Sequence, residues 1–515
     1  IILPETNVSY IGAVVKEQTP YLPKKTKIRP SLIQNVGDLY PVSEPCILDK
    51  TDSRYQHDDT PLVAGCKKHG RLTIDFGTTR VESAKEALWD GWLSKMKPLV
   101  VKPKLLTPEE AASGFPDIQY YDPMILNTSA GFPYVATEKK RKEDYIVFER
   151  NENEQPIGAT IDPAVLEEMK RKSELRRQGV QPITPFIDTL KDERKLPEKV
   201  RKYGGTRVFC NPPIDYIVSM RQYYMHFVAA FMEQRFKLMH AVGINVQSTE
   251  WTLLASKLLA KGNNICTIDY SNFGPGFNAQ IAKAAMELMV RWTMEHVEGV
   301  NEIEAHTLLH ECLNSVHLVS NTLYQQKCGS PSGAPITVVI NTLVNILYVF
   351  VAWETLVGSK ERGQTWESFK QNVELFCYGD DLIMSVTDKY KDTFNALTIS
   401  QLLAQYGIVA TDANKGEKVE AYTTLLNSTF LKHGFRPHEV YPHLWQSALA
   451  WNSINDTTQW IWECADLKLA TRENCRAALY QAHGHGSVVY NRFKQQVNKA
   501  LIKRKIQPIA LSWKE

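Results

Sequence analysis

Three carboxylates stand out by type and setting: Asp269, Asp380 and Asp381. The last two are adjacent in Tyr378-Gly379-Asp380-Asp381, between apolar runs at residues 375–377 and 382–384. Apolar run, Gly-Asp, apolar run predicts a β-hairpin with carboxylates at its tip. Like charges crowded at a tight turn repel, and divalent cations offset that repulsion. Carboxylates from separate elements that hold two cations about 4 Å apart are the apparatus of phosphoryl transfer. Asp269 closes the short apolar stretch 264–268, a predicted strand. Alone it reads as a cap or turn residue, and the four-residue tip alone reads as a solvated turn. If that strand lies beside the hairpin, all three carboxylates meet at one sheet edge.

A second group could handle a sugar or a phosphate. Cys328-Gly329-Ser330-Pro331-Ser332-Gly333-Ala334-Pro335 is rich in small residues that permit close backbone approach. It leads into an apolar stretch, 336–351, in which Thr337, Asn341 and Asn345 recur every four residues. That period places three polar groups on one face of a helix. A buried helix with a functional polar stripe fits this pattern better than a lipid-facing span, so no transmembrane segment is expected. Ser332, Gly333, Thr337 and Asn341 are candidates to face a ribose.

The elements that must position these groups belong to a chain of 515 residues, 43% hydrophobic and 23% charged, with room for a large core. Sixty basic and 57 acidic residues nearly cancel, to +3. Whole-chain charge therefore announces no polyanion, but the bases cluster: Lys24 to Arg29, Lys139 to Lys142, and seven between Lys191 and Arg207 with a local excess of +4. Six more fall between Ser487 and Trp513 with no acid. Several basic clusters separated by apolar elements suit a protein that surrounds a polyanion. Nine scattered cysteines without metal spacing suggest reduced thiols. Ile1 in place of Met, with no leader pattern, suggests cleavage from a longer precursor or an engineered start. Helices are expected at 278–297 and 392–406, and helical signals dominate from Pro437 onward. Most of Trp445, Trp451, Trp460 and Trp462 are expected in the core.

The order Asp269, then Ser332-Gly333 and Asn341, then Tyr378-Gly379-Asp380-Asp381 resembles three successive motifs of viral RNA-dependent RNA polymerases. Further motifs resemble the picorna-like, positive-strand branch. Thr128-Ser129-Ala130-Gly131-Phe132-Pro133-Tyr134 is similar to its template-channel motif. Lys191-Asp192-Glu193-Arg194 through Thr206-Arg207 is similar to its basic fingertip. Asp412-Ala413-Asn414-Lys415 is similar to the motif whose lysine protonates pyrophosphate, and Phe430 to Phe435 to the primer-grip hairpin. The wording of Asp269 to Gly276 and of Gly329 to Pro335 is closest to insect dicistroviruses and iflaviruses.

The resemblance implies an α+β fold, a closed right hand of fingers, palm and thumb, with an antiparallel palm sheet flanked by helices. Expected bounds are fingers 1–226, palm 227–274, a fingers insertion 275–325, palm 326–436 and thumb 437–515. It implies template-directed nucleotidyl transfer from NTPs, with Asp269, Asp380 and Asp381 holding Mg²⁺, or Mn²⁺ in vitro, and Lys415 as general acid. Lys191, Lys199 and Arg207 would contact the triphosphate. Ser129, Ala130, Gly131 and Lys432 would contact template or primer RNA. Implied partners are template and product RNA, NTPs, a virus-encoded protein primer and other replicase proteins, in membrane-associated complexes of the host cytoplasm.

Two departures stand out. Many relatives carry an aspartate five residues after the first, near the ribose; here that position is Gly274, which shifts ribose selection onto Ser332, Thr337 and Asn341, with Asn272 or Asn278 as helpers. The fingertip ends Gly205-Thr206-Arg207, so one cation is missing or displaced to Lys202. A reverse transcriptase shares the Tyr-x-Asp-Asp hairpin, but the Ser332-Gly333 to Asn341 unit argues against it. An RNA-binding scaffold with a degenerate palm would have lost a metal carboxylate, and all three are present.

Overall fold

The hairpin forms as strands Val373–Tyr378 and Asp381–Val386, paired antiparallel from Val373↔Val386 to Tyr378↔Asp381. In this computed structural model, which describes residues 7–358, 365–411 and 419–514, Gly379 and Asp380 make the two-residue turn. Gly379 takes a φ of +61°, as a tight hairpin turn demands. Strand Ile265–Tyr270 pairs antiparallel with the second hairpin strand, and Ala410–Thr411 pairs with its far side. The result is a four-stranded sheet, the palm sheet that the sequence predicts.

These strands carry apolar runs, with neighbouring residues on both faces, because both faces of the sheet are covered. Leu375, Cys377, Leu382 and Met384 join the main core with the helix Thr337–Leu356. Phe376, Ile383 and Ile265 face the other way, onto Trp251, Leu254 and Leu258 of the helix Thr249–Leu259. The Thr337–Leu356 helix is long and apolar enough to cross a membrane, but here it is buried among protein, from Val339 to Trp353 nearly without exception. It is the axle of the core.

A five-stranded sheet draws its strands from distant parts of the chain, in the order Val8–Ala13, Thr322–Gln326, Val316–Val319, Pro185–Leu190, Val208–Asn211. Beside it the helices Pro163–Arg177 and Glu302–Leu313 are locked by a fully buried ion pair, with Arg176 Nε 2.5 Å and Nη2 3.0 Å from the two Glu311 oxygens. A third sheet, of Thr429–Phe430, His433–Pro437 and Trp445–Leu449, is anchored where Phe435 stacks on Trp251 at 4.4 Å.

The N-terminal arm bridges the C-terminal region and the loop near residue 193. Ile28–Pro30 pairs with Trp460–Trp462. Asp456 accepts from the Val42 and Ser43 amides at 2.8 and 2.6 Å. The Cys46 amide donates to Glu193 O at 2.8 Å, and Arg194 Nη1 to Asp456 O at 2.8 Å. The basic loop near residue 193 is thereby tied to the C-terminal helical region.

Some sequence expectations change. The helix expected at 392–406 is Ala396–Ala404, because Asn395 caps it and starts it late. The C-terminal region opens with the strand Trp445–Leu449 before its helices Leu467–Ala482 and Ser487–Lys503. The four tryptophans are not core: Trp445 and Trp460 are half-buried, Trp451 is 36% exposed and Trp462 58%. Leu479, Tyr490, Phe493, Val497 and Leu501 of the two helices fill that core instead, with Trp513.

Candidate active site

The carboxylates meet because of strand register. Ile268 lies opposite Leu382, so continuing the antiparallel pairing by one residue sets Asp269 beside Asp381. Asp380 projects from the turn next to it. Asp269 and Asp381 are half-buried. Asp380 is open to solvent at its tip but walled by protein, and that desolvation raises its carboxyl above the ordinary value; Arg207 pulls it partly back.

Arg207 lies near enough to Asp380 for each charge to act on the other. Its Nε donates to Glu193 Oε1 at 2.7 Å, and Nη2 also reaches Glu193. That hydrogen-bonded pair raises the guanidinium further, with a smaller contribution from Asp380. Burial would raise Glu193, but Arg207, Lys195 and Lys191 outweigh it and hold the carboxyl low. Lys191 Nζ lies 4.0 Å from Glu193, and its amide donates to Arg207 O at 2.8 Å. The two predicted phosphate contacts Lys191 and Arg207 are thus brought together around one acid. Lys199 is half-buried on the neighbouring short helix Pro197–Val200, and Lys202 is exposed.

The small-residue loop packs where side chains cannot go. A Cβ on Gly333 would meet Cys210 O at 2.0 Å, so the loop lies flat against strand Val208–Asn211. Ser332 is exposed, with Oγ 3.5 Å from Val208 O. Thr337 Oγ1 donates within the loop, to Ala334 O at 2.7 Å and Pro331 O at 3.0 Å, and steadies the helix start. Asn341 is half-buried, and its Oδ1 is buried with no hydrogen-bond partner among the described residues. A buried acceptor left open is costly in a finished core and fits a ligand hydroxyl.

Gly274 has a steric cause. A Cβ there would sit 2.9 Å from Ser330 O, and the Ser330 amide already donates to Gly274 O at 2.9 Å. Asn278 is not a ribose helper: it is fully buried, its Oδ1 caps the helix Ala279–His296 and its Nδ2 donates to Ile74 O at 3.0 Å. Asn272 is half-buried with a φ of +53°.

Ser129 is exposed and accepts from Asn211 Nδ2 at 3.1 Å; Ala130 is buried, and Gly131 presses against the backbone of Pro212. Lys432 is exposed at the tip between Thr429–Phe430 and His433–Pro437. Lys415 lies outside the described residues.

The donors at the sheet edge are hard carboxylate oxygens with one that burial disfavours as a free anion, a set that fits Mg²⁺ or Mn²⁺. A different group, unseen in the sequence, has its ligand atoms within 4.8 Å of one another: His69, Asp188 and His317, all buried in the five-stranded sheet region. These three are close enough to hold a metal ion. Their atoms are already engaged with each other and with Tyr324. His317 Nδ1 meets Asp188 Oδ1 at 2.7 Å, His69 Nδ1 meets the Tyr324 hydroxyl at 2.8 Å, and that hydroxyl donates to Asp188. Burial would raise Asp188, but His317 leads the groups that hold it down to about 2. They come from residues more than 100 positions apart, and no local spacing could reveal them.

An antiparallel sheet with carboxylates at a hairpin edge, beside a basic loop, is the arrangement of the right-hand fold of fingers, palm and thumb. The solved Sicinivirus 3Dpol RNA dependent RNA polymerase has the same fold, with a TM-score of 0.80 over 98% of this chain and 97% of that one, at 20% identity. The chain belongs to the viral RNA-dependent RNA polymerase family, whose model matches residues 40–502. It is 33% identical to part of the genome polyprotein of Deformed wing virus, across 99% of this chain and 18% of that polyprotein. It is 27% identical to part of the replicase polyprotein of Acute bee paralysis virus, across 97% of this chain and 26% of that protein. The chain thus spans about a fifth to a quarter of the curated relatives it matches.

Proposed function

We propose that this chain copies a positive-strand viral RNA genome, joining NTPs on an RNA template. The observation that carries this reading is the strand register that brings Asp269, Asp380 and Asp381 to one sheet edge, with Arg207 near enough for its charge to act on Asp380. Asp269, Asp380 and Asp381 would hold the divalent ions, which when bound acidify an attacking hydroxyl and neutralise phosphate oxygens. Arg207 and Lys191 bind and orient the triphosphate, with Glu193 keeping the arginine in place until phosphate competes for it. Asn341 offers its open Oδ1 to the ribose 2′-hydroxyl, the group that separates RNA from DNA precursors. Ser332 and Gly333 bring the loop backbone to the same sugar. Ser129 to Gly131 and Lys432 steady template and primer, and Lys415 supplies a proton to the leaving pyrophosphate.

The interleaving of residues 8–13, 185–211 and 316–326 in one sheet supports fingers built from separate stretches. A protein primer and other replicase proteins are further partners on this reading. The test is primer extension on RNA with Mg²⁺ or Mn²⁺. Asp380→Ala should fold normally and lose about three decades or more of rate. Robust extension by that variant would remove the site assignment.

A further inference from the structure

Asn345 lies one helical turn beyond Asn341 and is wholly buried. A buried amide in so apolar a helix is costly unless its hydrogen bonds are met. Here they are met by groups that flank the metal carboxylates. Its Nδ2 donates to Gly379 O at 3.0 Å and to Asp381 O at 3.4 Å, and its Oδ1 accepts from the Tyr270 hydroxyl at 3.0 Å. Backbone carbonyls only accept, so the amide has one workable orientation. Thr342, on the same helix, accepts from the Gly379 amide at 2.8 Å while donating to Val338 O at 2.6 Å. The helix therefore holds both the N–H and the C=O of Gly379, the residue before Asp380. Tyr270 directly follows Asp269 and is itself buried against Phe273 and Tyr348.

The geometry points to Asn345 as a positioning residue: through Tyr270 on one side and the Gly379–Asp381 backbone on the other, it sets the spacing between Asp269 and the Asp380–Asp381 turn at which they share cations. This rests on the polymerase reading above. Packing alone does not account for it, since a leucine would fill comparable space in this helix without the desolvation cost. Strand pairing alone does not either, since Tyr378↔Asp381 is the last rung and the Asp380 side of the turn lies beyond it.

The test uses the full chain and Mn²⁺ alone, followed by electron paramagnetic resonance of the free ion. Asp380→Ala defines the signal that belongs to the carboxylate site. Tyr270→Phe keeps the ring and releases only the amide oxygen; Asn345→Leu removes the whole joint. Outer partners of metal ligands are worth about 10-fold to 100-fold in affinity or activity. Asn345→Leu should weaken Asp380-dependent Mn²⁺ binding by about tenfold or more, and Tyr270→Phe by less. The metal concentration for half-maximal primer extension should rise in parallel, with RNA affinity unchanged. The double variant should be no worse than Asn345→Leu alone, because the two act as one unit.

If Asn345→Leu does not fold, Tyr270→Phe carries the test by itself. Folded variants that bind and use Mn²⁺ as the wild type does would overturn the inference while leaving the polymerase reading intact. A wild type with neither Asp380-dependent Mn²⁺ binding nor extension would overturn both.

Discussion

Gly274→Ala adds one methyl group at the place where the polymerase resemblance leads one to expect a carboxylate. That carbon would lie 2.9 Å from Ser330 O. Carbon–oxygen contacts of this kind settle at about 3.3–3.6 Å, so the gap must open by roughly 0.5 Å. The obstacle is a backbone atom, and the same two residues are joined by the Ser330 N–H to Gly274 O bond of 2.9 Å. Opening the contact stretches that bond. Overpacking of this kind costs about 1–3 kcal/mol. The displaced loop runs through Ser332 and Gly333 into the helix that carries Asn341, so the cost also reaches the ribose. A 1 Å misplacement near a reacting centre costs about 100-fold, and half that shift about tenfold. Single-nucleotide incorporation of ATP and dATP, with thermal unfolding alongside, measures both effects. The expected result is a fall of about tenfold in kcat/KM for ATP, a lowered Tm and unchanged RNA affinity. Gly274→Asp should do worse, not restore a ribose contact. Wild-type kinetics and stability in Gly274→Ala, or sharper rejection of dATP in Gly274→Asp, would refute the steric argument.

Arg207→Ala should raise KM for ATP by about tenfold or more with RNA affinity little changed, since a charge-assisted phosphate contact is worth about 1.5–3 kcal/mol; lost RNA binding with normal NTP kinetics would make this arm a template clamp. Arg176→Ala leaves Glu311 buried without its partner and should cost about 3–5 kcal/mol in denaturant unfolding; a loss under about 1 kcal/mol would show that the pair is dispensable. His240 supplies a pH dependence. It is fully buried, donates from Nε2 to Phe231 O at 2.8 Å and accepts at Nδ1 from the Val242 amide at 3.1 Å, and burial lowers it to about 3. The unfolded chain takes up this proton near pH 6.5 and the folded one does not, so stability is full above that pH and falls as pH drops toward 3, by about 1.4 kcal/mol per unit. His240→Phe should lower Tm at pH 8 yet flatten its slope between pH 6.5 and 5; an unchanged slope counts against the assignment.

The hairpin was legible because its cause is local. Two short apolar runs and a Gly-Asp turn specify both strands and the tip, and the strand before Asp269 is an apolar run of the same kind. The helix at 279–296 was legible from Asn278, although that residue turned out to be its cap and not a ribose contact. Burial of the four tryptophans is not legible, because composition names large apolar rings but not the face they lie on. In that region the two long helices bury one mixed stripe, Leu479, Tyr490, Phe493 and Val497 among it, and the four tryptophans fall outside that stripe. The bridge made by the N-terminal arm was not legible at all. Asp456 holds residues 42 and 43 from more than 400 positions away, and an acid with no local partner looks like any surface charge.

The polar stripe on the central helix shows where sequence reading stops. Its period says that Thr337, Asn341 and Asn345 share a face, and that much is correct. The period cannot say that the three residues do different things. Thr337 closes its own loop, Asn341 keeps an acceptor open, and Asn345 is fully bonded to the strand and turn that bear the carboxylates. On the proposed reading, one row of a helix thus runs from substrate to metal ligands within three turns. The missing aspartate fits the same view. At position 274 the sequence shows only an absence, whereas the structure shows the Ser330 backbone in the space a side chain would need. With the loop seated that close, the proposed reading leaves the sugar to the one group on this row whose hydrogen-bonding capacity is still open, Asn341.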